Sequence, residues 1–169
     1  PRSTPGVWSA ALDVYNGQGL CRGPLLYDPA REVFIGHVAK YNPLSSFDGQ
    51  SVKLLFSGDD CYLSPAYAHN KTLPSWLYSS VYVTAKVRIV KDQQHKEQIM
   101  QRLTDHFEQH FTEHATDKWQ INEVPVQHRH VMYQQLSYIE FIPSHWCGNC
   151  QLSQHKPAEI RQAIKQSIM

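Results

Sequence analysis

Long hydrophobic runs are missing from this chain: no stretch approaches the roughly 18 consecutive apolar residues that a membrane-spanning helix requires. The first residues also lack a basic segment leading into an apolar core, so no secretory signal is read there and a cytoplasmic setting is expected. Neither sign of charge dominates. Sixteen Lys and Arg stand against 15 Asp and Glu, a formal net charge of +1 with neutral histidine, which supplies no basic stripe for a phosphate backbone. With no helix-turn-helix pattern either, direct nucleic-acid binding is not expected. Cysteine is sparse, at 4 in 169 residues, too few for a disulfide framework, so reduced thiols are expected. The 8 glycines form no G-x-G-x-x-G, no G-x-x-x-x-G-K-[ST] and no G-x-S-x-G, which removes the usual handles of dinucleotide folds, nucleotide hydrolases and serine esterases. No spacing defines an acid–base pair, no internal repeat is present and no tract is of low complexity.

What the chain does have is enough apolar material for one core. With 41% apolar and 18% charged residues over 169 positions, a single globular domain spanning residues 1–169 is predicted, with residues 1–6 (P-R-S-T-P-G) as a loosely held arm. Ten histidines make the net charge sensitive to acidification.

The stretch Val33–Tyr78 organises the rest. Val33–Ala39 is a short β-branched run closed by Asn42-Pro43, and Val52–Phe56 is a second strand. The turn residues Ser57-Gly58-Asp59-Asp60 predict an antiparallel hairpin into Cys61–Leu63. Upstream, Val7–Tyr15 alternates as a strand, and Asn16-Gly17 predicts a hairpin into Gly19–Tyr27, where Pro24 confines that strand to an edge or bulge. Ser64–Ser75 is a polar loop. Ser79–Lys91 is the clearest strand, with Val81, Val83, Ala85, Val87 and Ile89 on one face and Tyr82, Thr84, Lys86 and Arg88 on the other. Asp92 then caps an amphipathic helix whose stripe is Ile99, Leu103, Phe107 and Phe111. A short helix over Pro125–Gln135 leads into a strand Leu136–Ile142 that Pro143 ends. Gly148-Asn149 turns the chain, and Pro157 opens a terminal helix carrying Ile160, Ile164 and Ile168. The expected fold is mainly β (α+β), an antiparallel core with about three peripheral helices.

Two local motifs suggest chemistry. Trp146-Cys147-Gly148-Asn149-Cys150 resembles a thioredoxin-type redox motif, but it falls late, with only 19 residues after Cys150, so a hairpin turn between two half-buried thiols is expected instead, with a local disulfide or adventitious metal binding as the lesser alternatives. Cys21 and Cys61 lie in predicted strands and are read as core. His106, His110 and His114 recur at the i, i+4 spacing of metal-binding imidazoles, with His128 and His130 nearby. No H-E-x-x-H accompanies them, so a solvated helix face is expected. Trp119 is read as packing.

Read in order, I-G-H-V-A-K-Y-N-P, D-G-Q-S-V-K-L-L-F-S-G-D-D-C-Y-L-S-P, L-P-S-W-L-Y, R-L-T-D-H-F-E and Q-L-S-Q-H-K-P resemble, at similar spacing over roughly residues 19–169, the FMN-binding negative transcriptional regulator family typified by PaiB. The resemblance implies a split β-barrel working as a homodimer, with FMN at the subunit interface and a role as flavin-linked transcriptional regulator or oxidoreductase. It implies that His37, Lys40 and Asn42 face the flavin phosphate or ribityl chain, with Lys40 as charge partner. Ser64 falls in the family's Y-I-S-P position, and Ser75, Trp76 and Tyr78 fall on its P-[ST]-W-N-Y, where they would border the isoalloxazine. Ser153 and Gln154 match K-L-S-Q-N and would come from the other subunit. A flavin supplies its own reactive ring, which agrees with the missing acid–base pair. Leu77 stands where the family has Asn, Gln151 where it has Lys and His155 where it has Asn, and the family's N-terminal helix is reduced to a short arm. These departures define a rival expectation, a dimeric barrel that has lost the cofactor and serves as an interaction module. The histidine-rich surface defines another, haem or metal handling on the same barrel.

Overall fold

The computed structural model describes residues 11–15, 20–111 and 118–168. The arm, the first residues of the first strand, the Asn16-Gly17 turn and His114 lie outside them. Among the described residues eight strands run β1 (Ala11–Tyr15), β2 (Leu20–Pro24), β3 (Leu26–Asp28), β4 (Val33–Ala39), β5 (Ser51–Ser57), β6 (Cys61–Leu63), β7 (Ser75–Ile89) and β8 (Leu136–Gln151). The same residues include three α-helices, α1 (Gln93–Phe111), α2 (Val126–Gln134) and α3 (Ala158–Ile168). All pairings are antiparallel, in the order β2-β1-β5-β7-β8-β4-β3, with β6 added beside β7.

That order, combined with chain connectivity, requires the sheet to roll. β2 and β3 end the order at opposite edges, yet only Leu25 separates them in the chain. The two edges therefore meet without a hydrogen-bonded ladder to close them, which makes the fold a split barrel. At the seam, the Asn42 Nδ2 donates to Cys21 Sγ at 3.2 Å, and a void of about 10 Å³ remains between β2 and β4. Gly36 is required here: a Cβ on it would lie 2.3 Å from Leu25 Cδ2 and 3.2 Å from the Pro24 carbonyl. Inside the roll pack Phe34, Leu54, Val83, Ile139 and Phe141, with Phe34 stacked on Phe56 at 5.0 Å.

The predicted β4 is reproduced, and β7 buries Val83, Ala85 and Val87 while exposing Tyr82, Lys86 and Arg88, as its alternation demands. Asp92 Oδ1 accepts from the His95 amide at 2.7 Å and caps α1, whose Ile99 and Leu103 are buried against Val33, Ile35 and Tyr138. Each of those two aliphatic side chains contributes ~1.5–3 kcal/mol by leaving water. Ile160 and Ile164 of α3 pack on Leu63, Ala68 and Leu77, whereas Ile168 is exposed.

Several turns predicted from local signals are corrected. β5 and β6 form no hairpin with each other; both pair with β7, β5 along Ser80–Lys86 and β6 along Ser75–Leu77. The predicted second strand breaks at Leu25 into β2 and β3. Pro143 does not end β8. The ladder passes from Thr84↔His145 to Ala85↔Pro143, so Ser144 is the extra residue of a bulge beside a proline that has no N–H to donate. Gly148 and Asn149 do not turn; they pair with Val81 and Ser80, because β7 begins at Ser75 and offers a ladder long enough to hold β8 extended.

Candidate functional site

The extended course of β8 through residues 146–150 decides the fate of the W-C-G-N-C motif. Cys147 and Cys150 pair with Tyr82 and Ser79, three residues apart on an extended strand, so they point to opposite faces with Cα atoms ~10 Å apart. Disulfides need Cα separations under ~7 Å, so these two exposed thiols cannot join, and the motif opens no helix as a thioredoxin motif does, since it lies within β8 and α3 starts only at Ala158. Cys21 and Cys61 are half-buried at the edges of the apolar clusters. The histidine row is not the solvated face expected: His106 is half-buried, its Nε2 has no partner, and burial, followed by the neighbouring His110, lowers its pKa. The His106 and His110 rings lie 4.4 Å apart, and the His110 Nδ1 lies 2.8 Å from the His106 carbonyl, placed to donate to it. No group of three metal-ligating side chains occurs among the described residues.

The residues selected through the flavin resemblance fall into two groups. His37, Lys40 and Asn42 lie at the C-terminal end of β4, where Ala39 pairs with Leu136 at the start of β8. Ser64, Ser75, Trp76, Tyr78, Ser153 and Gln154 gather where Tyr78 pairs with Gln151, at the other end of β8. Between Leu136 and Gln151 runs ~50 Å of strand contour at ~3.3 Å per residue. The two groups therefore sit at opposite ends of β8.

Their side chains differ in availability. Asn42 is committed: its Oδ1 accepts from the Leu44 amide at 3.0 Å to cap a 3-10 turn over Pro43–Ser46, and its Nδ2 is held by Cys21. Ser64 caps the next such turn, Pro65–Ala68, by accepting from the Ala66 amide at 3.3 Å. Gln154 closes its own loop, accepting from the Leu152 amide and donating to the Cys150 carbonyl, both at 2.8 Å. Ser153 is 5% exposed and adopts a left-handed φ of 57° within that loop. Ser75 Oγ accepts from Gln151 Nε2 at 2.9 Å. His37 shares a sheet face with its cross-strand partner Tyr138, rings 6.1 Å apart, and burial lowers its pKa and keeps it neutral, with Nδ1 buried and unpartnered.

Lys40 and Trp76 are open. Lys40 is exposed and has no ion pair among the described residues, while Trp76 is half exposed beside Tyr62, rings 6.4 Å apart. A flavin mononucleotide presents a phosphate dianion, ribityl hydroxyls and a planar ring. An unpaired ammonium, an aromatic plate and a buried unpartnered imidazole nitrogen match that donor requirement in kind, though the plate and the ammonium stand at opposite ends of β8.

Residue selection by motif passed over one surface. The outward face of β5, β7 and β8 carries the cross-strand rows Lys53, Thr84, His145 and Leu55, Tyr82, Cys147, with Ser51 beside Lys86. α1 and α3 bury their apolar faces in clusters that include none of these residues. The alternation of Ser79–Lys91 already assigned Tyr82, Thr84 and Lys86 to this face; the continuation of β8 past Pro143, which supplies His145 and Cys147, was the part no local signal revealed.

Comparison with known proteins agrees with this architecture. A FAD- and haem-binding protein from Mycobacterium smegmatis superposes with a TM-score of 0.55 at 13% identity, covering 93% of this chain and 72% of that one. A flavocytochrome from Azotobacter vinelandii superposes with a TM-score of 0.56 at 11% identity, covering 85% of this chain and 63% of its own length. At these identities the likeness establishes the fold. No curated protein sequence matches the chain significantly. The family described as "Putative FMN-binding domain" matches residues 20–142, from β2 into β8. That is well over half of the chain, which therefore belongs to this FMN-binding family.

Proposed function

We propose that the chain acts as a cytoplasmic homodimer that holds FMN between its subunits and serves as a flavin-linked oxidoreductase or PaiB-like transcriptional regulator. The observation that carries this reading is the separation of the candidate residues to opposite ends of β8. Two copies paired with their β8 strands reversed would set the Lys40 end of one beside the Trp76 end of the other, across the polar outward face of β5, β7 and β8. In that arrangement Lys40 meets the phosphate as an ion pair strengthened by hydrogen bonds. Trp76 and Tyr78 border the ring, and Ser153 and Gln154 shape the loop that brings the second subunit's chain to the site. Bound FMN would supply reversible hydride and electron transfer, for which the chain needs no acid–base pair of its own.

The departures from the family pattern weigh unequally against this reading. Leu77 is buried among Leu63, Ala68, Ile160 and Ile164, so its change from Asn belongs to the α3 contact and not to a ligand surface. Gln151 is the one departure with a direct consequence, since it occupies the Ser75 hydroxyl.

Purified protein titrated with FMN is expected to quench flavin fluorescence, to melt at higher temperature and to elute as a dimer. Lys40→Ala should weaken binding by about tenfold or more, the worth of one charge-assisted contact. Absence of both quenching and thermal shift would overturn the cofactor assignment, stoichiometric FMN on a monomer would overturn the shared site, and an unchanged dissociation constant for Lys40→Ala would remove Lys40 from it.

A further inference from the structure

A groove of about 590 Å³ lies between α1 and α2, lined by none of the residues assigned to the flavin. Its walls are two helical stripes. On α1, Gln94, Gln98 and Gln101 recur at i, i+4 and i+7 with Glu97 beside them; on α2, Val126, Arg129 and Tyr133 recur at i, i+3 and i+7. The volume falls in the range of small-molecule sites. α2 has no buried residue, so it does not act as a core helix and its inward stripe is left facing this space.

The polar groups here are unevenly committed. Gln93 Nε2 donates to Glu97 Oε1 at 2.9 Å, Gln101 Nε2 donates to Asp105 Oδ1 at 2.7 Å, and Arg102 is held by Asp28. Arg129 has no carboxylate partner among the described residues. Glu97 keeps further acceptor capacity. Below the groove stands Tyr138, fully buried, with a hydroxyl that has no partner. Tyr138 packs edge-on against Tyr133 at 6.1 Å. Its pKa is raised by burial and then by Tyr133 and Glu97, which places that unpartnered hydroxyl within the influence of two groove residues. Tyr133 in turn is raised by burial, lowered by Arg129 and raised by Glu97, so both charges bear on the same phenol.

We propose that this groove is a binding site for a small amide-containing zwitterion, a short peptide whose carboxylate pairs with Arg129 and whose ammonium pairs with Glu97. The side-chain amides of Gln94 and Gln98 can each donate and accept, which suits peptide groups, and Val126 and Ile121 offer the apolar contact that a free amino acid would leave unfilled. An inorganic anion would satisfy Arg129 and leave the rest of the groove unused. The site stands independently of the flavin reading, because none of its residues belongs to either group at the ends of β8.

The test uses isotope-labelled protein without added flavin, with glycyl-L-glutamine as the zwitterionic probe and sodium acetate and glycinamide as the single-charge probes. Glycyl-L-glutamine is expected to shift backbone amide resonances along α1 and α2 at up to about 10 mM, roughly tenfold above the ~1 mM dissociation constant expected of so small a ligand. Acetate and glycinamide should bind at least about tenfold more weakly, and Arg129→Ala and Glu97→Gln should each weaken the dipeptide by a similar factor. The melting temperature of each variant, compared with that of the parent, separates lost binding from lost folding. Absence of shifts in α1 and α2 would overturn the site. Acetate binding as tightly as the dipeptide would overturn the zwitterion in favour of a simple anion, and two folded variants with parental affinity would overturn the assigned charge partners.

Discussion

Glu140 offers the sharpest test of what holds the helical layer to the barrel. It lies mid-strand in β8, its side chain fully buried, and points towards α1 rather than into the roll, since its cross-strand partner Ile35 belongs to the cluster under that helix. Arg88 engages Oε2 through Nε at 2.6 Å and also through Nη2; Arg31 Nη1 lies 2.5 Å and His95 Nε2 3.0 Å from Oε1. Removing one partner of a fully buried ion pair costs ~3–5 kcal/mol, because the survivor stays charged without water. In Glu140→Gln the survivors are Arg31 and Arg88, with side chains 39% and 48% exposed, and they regain hydration, so ~2–3 kcal/mol is expected. In Arg88→Met the survivor is the carboxylate, which keeps Arg31 and His95 on Oε1 but is left with a buried Oε2 that has lost the Arg88 contacts and cannot reach water, and the cost should exceed that of Glu140→Gln. The double variant should cost less than the sum of the two by ~1.5–3 kcal/mol. Urea unfolding of all four proteins, with equal denaturant slopes as the check on comparability, measures the cycle. For a chain of this length the Glu140→Gln loss corresponds to a fall in melting temperature of ~4–12 °C. Additivity within ~0.5 kcal/mol would show that the contacts carry no coupling and would refute the argument.

Two further outcomes follow from other parts of the structure. The hydrogen bond and charge of Arg102 hold the Asp28 carboxyl below its ordinary 3.8 despite the opposing effect of burial, so the unfolded chain binds the proton more readily. The stability from this pair is present above the unfolded value and is lost as pH falls through the folded one; Asp28→Asn should flatten the stability curve between about pH 5 and pH 2, and a curve parallel to the parent's would refute the assignment. At the seam, Gly36→Ala places a methyl 2.3 Å from the confined Leu25 side chain, and the urea midpoint should fall by the equivalent of ~1–3 kcal/mol; an unchanged midpoint would mean that the two edges do not meet as described.

Where several local cues agreed with tertiary demand, the sequence was legible. Val33–Ala39 ends at Asn42-Pro43 because Asn42 caps the turn that Pro43 starts, and α1 begins after Asp92 because Asp92 accepts from its first turn. Gly148-Asn149 and Pro143 misled for one reason. Both are turn or breaker signals evaluated against isolated chain, but the competing conformation here is a ladder along a 15-residue partner, whose hydrogen bonds hold a glycine extended and absorb a proline in a one-residue bulge. The Ser57–Asp60 signal failed differently: it does not reverse the chain, because β5 and β6 both run antiparallel to β7 and the segment only carries the chain onward along that strand, from the level of Ser80 to that of Leu77.

The candidate site divides along the same line. Motif spacing selects residue types, and it selected Asn42, Ser64 and Gln154, which proved to spend their polar atoms on local backbone; short polar side chains at turns are favoured by capping whether or not a ligand exists. Lys40 and Trp76 escape that ambiguity because neither an ammonium in water nor an exposed indole is needed to close a turn. Leu77 makes the converse point. Read along the chain it stands between Trp76 and Tyr78 as a lost polar contact, but strand alternation turns it to the opposite face, into the contact with Ile160 and Ile164. A departure from a binding motif therefore counts against the ligand only when it lies on the face that the ligand would touch, and of the departures in this chain Gln151, which takes up the Ser75 hydroxyl, is the one with a visible effect on that surface.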